Sequence, residues 1–411
     1  MMEQKLILLI LFVFPFFTYS DAELKRLPIF DIRKFGAKPN EDISQALVNA
    51  WKKAIASPNA CKIYIPRGIW MLSQVELFGP NKAHIEFSVK GTIQAYSDIQ
   101  KVPNKQADWI TFSQINYFTL TGGGLFHGNG RTAWKSNDCK RNRHCIKLPI
   151  NLSFNFMKNA IIQDVTTKDS KNSHAKCFAC HNVTFLRFTV SAPADSPNTD
   201  GLHLSHSSSV NVVSSTIQTG DDCISMSSGM SQVRIRDVTC GPGHGVSIGS
   251  LGGSPAELDV SGIYVTNCTF IRTQNGVRVK TWPSGPATLE ISDIQFEDLI
   301  MVEAGNPVII DQEYCPSHFC DRSRPSSIKV RKVRIKNIRG TTKTAEAITL
   351  KCSGSKPCED VEIGDVDLKY VGKHGCIITT KCADVKLRSV GNHNPPVCAI
   401  NSLSHHHRHC A

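Results

Sequence analysis

From about residue 151 onward the chain repeats itself loosely, and that repetition constrains its fold more than any other feature. Short stretches of alternating apolar and polar residues recur at 182–190, 210–213, 233–238, 262–265, 291–294, 328–335, 361–363 and 385–387. Asn, Gly, Ser and Asp lie between them as turn formers. No long stretch of helical periodicity interrupts the series. Strands of this length could build a sandwich, a propeller or a solenoid. A spacing of roughly 20 to 40 residues favours the solenoid, in which each turn stacks its apolar face on the next. A parallel β-helix has an interior row of Val, Ile and Leu, and each unit supplies one. A solenoid also needs a capped end. Residues 43–55 place Ala46, Leu47, Ala50, Trp51, Ala54 and Ile55 at helical spacing, which predicts an amphipathic helix as the N-terminal cap. The expected fold is therefore all-β: a parallel β-helix over residues 23–400 with a capping helix.

The ends of the chain and its cysteines speak to its compartment. Lys5 precedes an apolar run over residues 6–17 that closes on Thr18, Tyr19 and Ser20. Residues 1–22 read as a secretory signal peptide, cut near Ser20 or Ala22. No later segment has the apolar length a bilayer span needs, so no membrane contact is expected after signal removal. The 16 cysteines are an even number, which suits disulfide bonding outside the cell. Cys139 and Cys145, Cys315 and Cys320, Cys352 and Cys358, and Cys376 and Cys382 form close pairs read mostly as disulfides. Cys177 and Cys180 have CxxC spacing, but no second pair or His pair completes a zinc site, so no metal is expected. Sequons at Asn151, Asn182 and Asn267 are candidate glycosylation sites. The tail over residues 401–411, with its cluster His405, His406, His407 and His409, reads as irregular and solvated.

Composition excludes disorder, with 41% hydrophobic and 20% charged residues. The net charge of +12 favours a polyanionic partner. No basic helix, finger or aromatic stacking motif supports nucleic acid; an acidic polysaccharide is the other candidate, and charge alone does not separate the two from each other or from a simple role in solubility.

Four short motifs carry the chemistry: residues 196–201 (SPNTDG), 220–223 (GDDC), 241–245 (GPGHG) and 278–280 (RVK). Each alone reads as a turn, a loop or an exposed strand face. They follow one another at about one repeat, and positions one repeat apart stack in a solenoid. Asp200, Asp221, Asp222, His244, Arg278 and Lys280 should therefore gather on one face. Three carboxylates held close cannot all keep ordinary pKa values. A raised acid can protonate a leaving oxygen while an ionised neighbour takes a proton from water, the division of labour of glycoside hydrolysis. Asp221 and Asp222 would face opposite ways on a strand, so both reach one site only if the chain turns there, which Gly220 permits. Arg278 and Lys280 share a face and suit a substrate carboxylate.

With these motifs, and with residues 35–38 (FGAK) and 311–315 (DQEYC), the chain resembles the polygalacturonases, family 28 glycoside hydrolases, from about residue 30 to 398. The resemblance implies a right-handed parallel β-helix and hydrolysis of α-1,4-linked galacturonic acid in pectin with inversion. Asp221 would be the general acid, and Asp200 and Asp222 would hold and deprotonate water. His244 would support the acid, Arg278 and Lys280 would bind the galacturonate carboxylate, and Asn198 and Tyr314 would help bind substrate. Inversion implies carboxylates roughly 6.5–9.5 Å apart. A Cys223–Cys240 disulfide is also implied. Residues 133–135, 195–201 and 311–316 are similar to plant exopolygalacturonases of the pollen type, which implies attack from the non-reducing end. No cofactor is implied, and the enzyme is expected to act as a secreted monomer in the cell wall. Val279 stands where the family usually has Ile, and residues 127–130 read HGNG where it often has DGQG. Alternatives are an endo-acting enzyme, a calcium-dependent pectate lyase and a non-catalytic wall-binding β-helix.

Overall fold

The computed structural model describes residues 27–398, apart from 105–106, 136, 138–141, 143–147, 317–319 and 374. The signal peptide, the His-rich tail and the Cys139–Cys145 pair lie outside the described residues.

One sheet shows the architecture directly. Its eleven strands stack one per coil, each inner strand pairing with the strand one coil before and one coil after, and every pairing is parallel. Five of them concern the site: β1 (Leu202–Ser205), β2 (Ile224–Met226), β3 (Val246–Leu251), β4 (Asn275–Thr281) and β5 (Asn306–Asp311). The remaining strands of the coils form a second, twenty-stranded parallel assembly. This is the right-handed parallel β-helix that the repeat and the resemblance predict.

The alternation read in the sequence explains what holds the coils together. Leu152, Ala175, Leu202, Ile224, Val246, Val277 and Val308 stand opposite one another in register and are buried. Side chains along a strand alternate faces, so the intervening residues point outward. They form a second row: Lys176, His203, Ser225, Ser247 and Arg278. The interior is filled partly by stacked rings. Phe154 lies parallel to Phe112 at 5.5 Å and edge-on to Phe185 at 5.9 Å.

The corners of the coils need a left-handed backbone, which Asn tolerates. Asn159 and Asn182 adopt φ of 50° and 55° and form a ladder. Asn182 donates to Asn159 Oδ1 at 2.7 Å, and Asn159 donates to Asn116 Oδ1 at 2.9 Å. Asn182 and Asn267 are both exposed, as a glycan acceptor must be. Asn151 is not: it is 2% exposed, and its amide nitrogen donates to Thr167 Oγ1 at 2.9 Å. Burial of that nitrogen removes Asn151 from the candidate glycosylation sites of the folded protein.

The cap is α1 (Ser44–Ala56), one residue later than predicted because Asp42 Oδ1 takes the Ser44 N–H at 2.8 Å and starts the helix there. Trp51 anchors it, donating to the Phe78 carbonyl at 2.8 Å and meeting Phe112 and Phe118 edge-on. Among the described residues no helix is long and apolar enough to cross a membrane.

The Cys223–Cys240, Cys315–Cys320 and Cys352–Cys358 bonds form as expected. The Cys376–Cys382 pairing does not, because Cys382 bonds Cys398. Cys382 lies in the strand Thr379–Ala383, and its single sulfur is already taken by Cys398. Cys177 and Cys180 are unbonded thiols of the core. Cys180 Sγ donates to the Phe154 carbonyl at 3.4 Å.

Phe154→Ala should therefore open a cavity between three coils. We expect a loss of about 3–5 kcal/mol in denaturant unfolding, with β-sheet circular dichroism retained before the transition.

Candidate active site

The site is built where the chain bends just before β1, β2 and β3. Backbone hydrogen bonds stack these bends: Gly201 N–H donates to Asp222 O at 2.9 Å, Cys223 N–H to Gly245 O at 2.8 Å, and His244 N–H to Asp221 O at 2.7 Å. Asp200, Asp221, Asp222 and His244 are thereby brought to neighbouring heights, as predicted. Asp221 and Asp222 lie in the bend rather than in a strand, so adjacent residues reach one site. Gly220 is required there by proximity: a Cβ would sit 2.2 Å from the Ser196 carbonyl oxygen. Gly245 is required twice over, by a φ of +89° and by the Gly276 carbonyl 2.1 Å from where a Cβ would be.

Each carboxylate has a different environment. Asp222 is 4% exposed and accepts from Ser247 Oγ at 2.8 Å, from Arg278 at 2.9 Å and from Lys280 Nζ at 3.1 Å. Asp221 accepts from His244 Nδ1 at 3.1 Å and from the Asp222 N–H at 2.7 Å. Asp200 accepts only from Ser225 Oγ, at 2.6 Å, among the described side-chain contacts.

These surroundings separate the acids electrostatically. Burial, with the charges of Asp221 and Asp222, pushes the Asp200 carboxyl up to about 8. Burial also acts to raise Asp221, but the hydrogen bond and electrostatic pull of His244 outweigh it, and Asp221 ends below the usual carboxylate range. Of these two acids Asp200 is therefore the one that holds a proton more readily, and Asp221, the acid implied by the resemblance, the one that gives it up more readily.

The cations also differ from expectation. Arg278 and Lys280 both engage Asp222 rather than standing free. Tyr314 lies beneath them, its ring centre 5.8 Å from the guanidinium and 5.3 Å from the ammonium, and meets Trp282 edge-on at 5.4 Å. Asn198 is at the exposed rim, with its Oδ1 3.3 Å from Asn137 Nδ2. One oxygen of Asp221, one of Asp222 and a His244 nitrogen lie within 4.8 Å of one another. That is closer than the 6.5–9.5 Å implied for inversion, yet it is a gap that one water with hydrogen bonds of about 2.8 Å to each oxygen spans. These three groups could also offer metal ligands, but Arg278, Lys280 and Ser247 already occupy Asp222, so protein cations fill that role.

Ser225, Ser247, His203 and Trp282 escaped the sequence reading. The first three occupy the outward row of the strands, where a polar residue looks ordinary. Their only signal is the outward alternation that places each beside a motif one coil away.

Glycosyl hydrolases family 28 matches residues 56–392 of this chain. The chain belongs to that family. It is similar to a polygalacturonase of Nicotiana tabacum, 47% identical over 92% of this chain and 93% of the relative. An exopolygalacturonase of Oenothera organensis is 45% identical over 87% of this chain and 98% of the relative. Among solved structures, an exopolygalacturonase of Thermotoga maritima superposes with a TM-score of 0.72 at 17% identity, covering 89% of this chain and 93% of its own. An endo-xylogalacturonan hydrolase of Aspergillus tubingensis superposes at 0.74 with 22% identity, covering 89% and 99%. These two likenesses establish a shared fold. As a family 28 glycoside hydrolase the chain is an enzyme, and its groove of three carboxylates and two cations suits acid–base chemistry on an anionic sugar.

The raised Asp200 has a consequence for stability. The folded protein binds this proton more tightly than the unfolded chain does, so the stabilisation is complete below the ordinary Asp range and is lost as pH rises through about 8. We expect the wild-type melting temperature to fall more steeply than that of Asp200→Asn between about pH 5 and pH 9, as read by calorimetry. Parallel curves would remove the assignment.

Proposed function

We propose that this enzyme hydrolyses the α-1,4 linkages of polygalacturonate, releasing galacturonate from the non-reducing end with inversion. The observation that carries this reading is the meeting of Asp200, Asp221 and Asp222 beside Arg278 and Lys280 on one outward face. The net charge of +12 supports a polyanionic substrate. The likeness to relatives named polygalacturonase and exopolygalacturonase supports the linkage and the chain-end mode. Four described disulfides support an oxidising compartment, hence secretion to the cell wall, where the enzyme acts as a monomer.

In this mechanism Asp221 protonates the departing sugar oxygen, and Asp200 and Asp222 hold the attacking water and take its proton. Arg278 and Lys280 bind the substrate carboxylate, with Tyr314 and Asn198 shaping the groove around it. A proton held on Asp200 must leave before that acid works as a base. A sugar carboxylate drawing on Arg278 and Lys280 loosens their hold on Asp222 and adds negative charge beside Asp221. Both effects favour a proton on Asp221 at the moment it is needed. His244, hydrogen-bonded to Asp221, orients that acid.

The endo reading keeps the same residues and differs in product. On unesterified polygalacturonate the exo mode releases monomer from the first time point with little early loss of viscosity, whereas mixed oligomers with rapid thinning would establish the endo mode. Asp221→Asn should lower turnover roughly 10²–10⁴-fold while the fold is retained. Wild-type turnover in that variant would refute the role given to Asp221.

A further inference from the structure

The outward row beside the acids holds polar groups to which the mechanism above gives no role. Among the described residues Asp200 takes one side-chain hydrogen bond, from Ser225 Oγ at 2.6 Å, and that same oxygen lies 2.9 Å from His203 Nδ1. We propose that Ser225 and His203 are positioning residues for Asp200, forming a hydrogen-bond chain that reverses its polarity whenever Asp200 gains or loses its proton. The inference rests on the acid–base role of Asp200 given above.

The register makes the chain an outcome of the fold. His203 in β1 stands directly opposite Ser225 in β2. Adjacent parallel strands lie about 4.8 Å apart, so outward side chains in register meet. Asp200 lies three residues before His203 in the bend leading into β1, one coil from Ser225. Ser225 is buried, 4% exposed, which leaves its hydroxyl few alternatives to these two partners.

A hydroxyl between a carboxyl and an imidazole can satisfy both states of the carboxyl. With Asp200 ionised, Ser225 O–H donates to Oδ2 and His203 Nδ1–H donates to Ser225 Oγ. With Asp200 protonated, the carboxyl O–H donates to Ser225 Oγ, and Ser225 O–H donates to a bare His203 Nδ1. The imidazole stays neutral throughout. It carries its one ring proton on Nδ1 in the first state and on Nε2 in the second, giving it up at one nitrogen and taking one at the other. No net charge moves except on Asp200. The chain thus keeps a half-buried acid hydrogen-bonded as proton donor and as carboxylate, which a fixed donor such as a backbone N–H cannot do.

The surroundings hold His203 in that neutral form. Burial, with the charge of Lys176, brings it down to about 4; Asp222 pulls upward and Lys280 downward. Lys176 faces it from the preceding coil, in register and tied to Asp108 at 2.7 Å. Asp200 itself is faced by Asp221, Asp222 and Lys280. A charged imidazole would donate only, and with Asp200 protonated the Ser225 hydroxyl would lose His203 as its acceptor.

The test compares Ser225→Ala, Ser225→Thr, His203→Leu and His203→Asn by pH profiles on polygalacturonate and by ¹³C-carboxyl NMR titration of Asp200. Ser225→Ala should lower kcat at least about tenfold with KM within about threefold, and should raise the Asp200 ionisation by at least about half a pH unit, since the carboxylate loses the hydroxyl that donates to it. His203→Leu should move the same ionisation in the same direction by less. Ser225→Thr should restore it, and His203→Asn should do so in part, because an amide can turn either its oxygen or its nitrogen to the hydroxyl. An unmoved Asp200 titration in folded Ser225→Ala overturns the proposal, even if activity falls. If the wild-type enzyme leaves polygalacturonate uncut, the function proposed above fails, and the NMR titration still decides the hydrogen-bond chain.

Discussion

The register of parallel coils is the constraint on which everything else depends. Each backbone hydrogen bond between Gly201 and Asp222, Cys223 and Gly245, and His244 and Asp221 fixes one bend above another. Residues that are distant in sequence then differ in position by a strand spacing. The buried rows of Val, Ile and Leu hold that register, because a slip of one residue along a strand would turn the apolar set to solvent. The acids are placed by the scaffold and need no stabilising contact among themselves. A cluster of like charges is unfavourable, and it persists here because the surrounding coils over-determine it.

How much was legible in the sequence follows from the same constraint. Asp200, Asp221, Asp222, His244, Arg278 and Lys280 were readable because their motifs recur at coil spacing, and coil spacing alone brings them together. The cap was readable because an amphipathic period differs from a strand period. What escaped depends on which side chain meets which. Ser225, Ser247 and His203 look like ordinary outward strand residues until register sets them beside the acids. Asn151 carries a sequon but turns inward onto Thr167, a direction that the triplet does not encode. Cys382 bonds Cys398 rather than the nearer Cys376, a choice that spacing in sequence does not encode. Which acid holds a proton more readily was also invisible, since it depends on burial and on which acid the cations touch.

The arrangement of cations links binding to chemistry. Arg278 and Lys280 both hold Asp222, so in the proposed mechanism an arriving sugar carboxylate competes with Asp222 for the same donors. Truncating one partner of such a buried pair leaves the other uncompensated, so Arg278 and Lys280 support the structure besides the substrate-binding role proposed for them. The competition also has a direction. As the substrate takes a share of the positive charge, the field that keeps the nearby carboxylates ionised weakens, and a proton becomes easier to hold on Asp221. A neutral sugar of the same shape would fill the groove without shifting that balance. Discrimination in favour of uronates can therefore arise in turnover as well as in affinity, because the substrate's own charge completes the protonation state that cleavage requires.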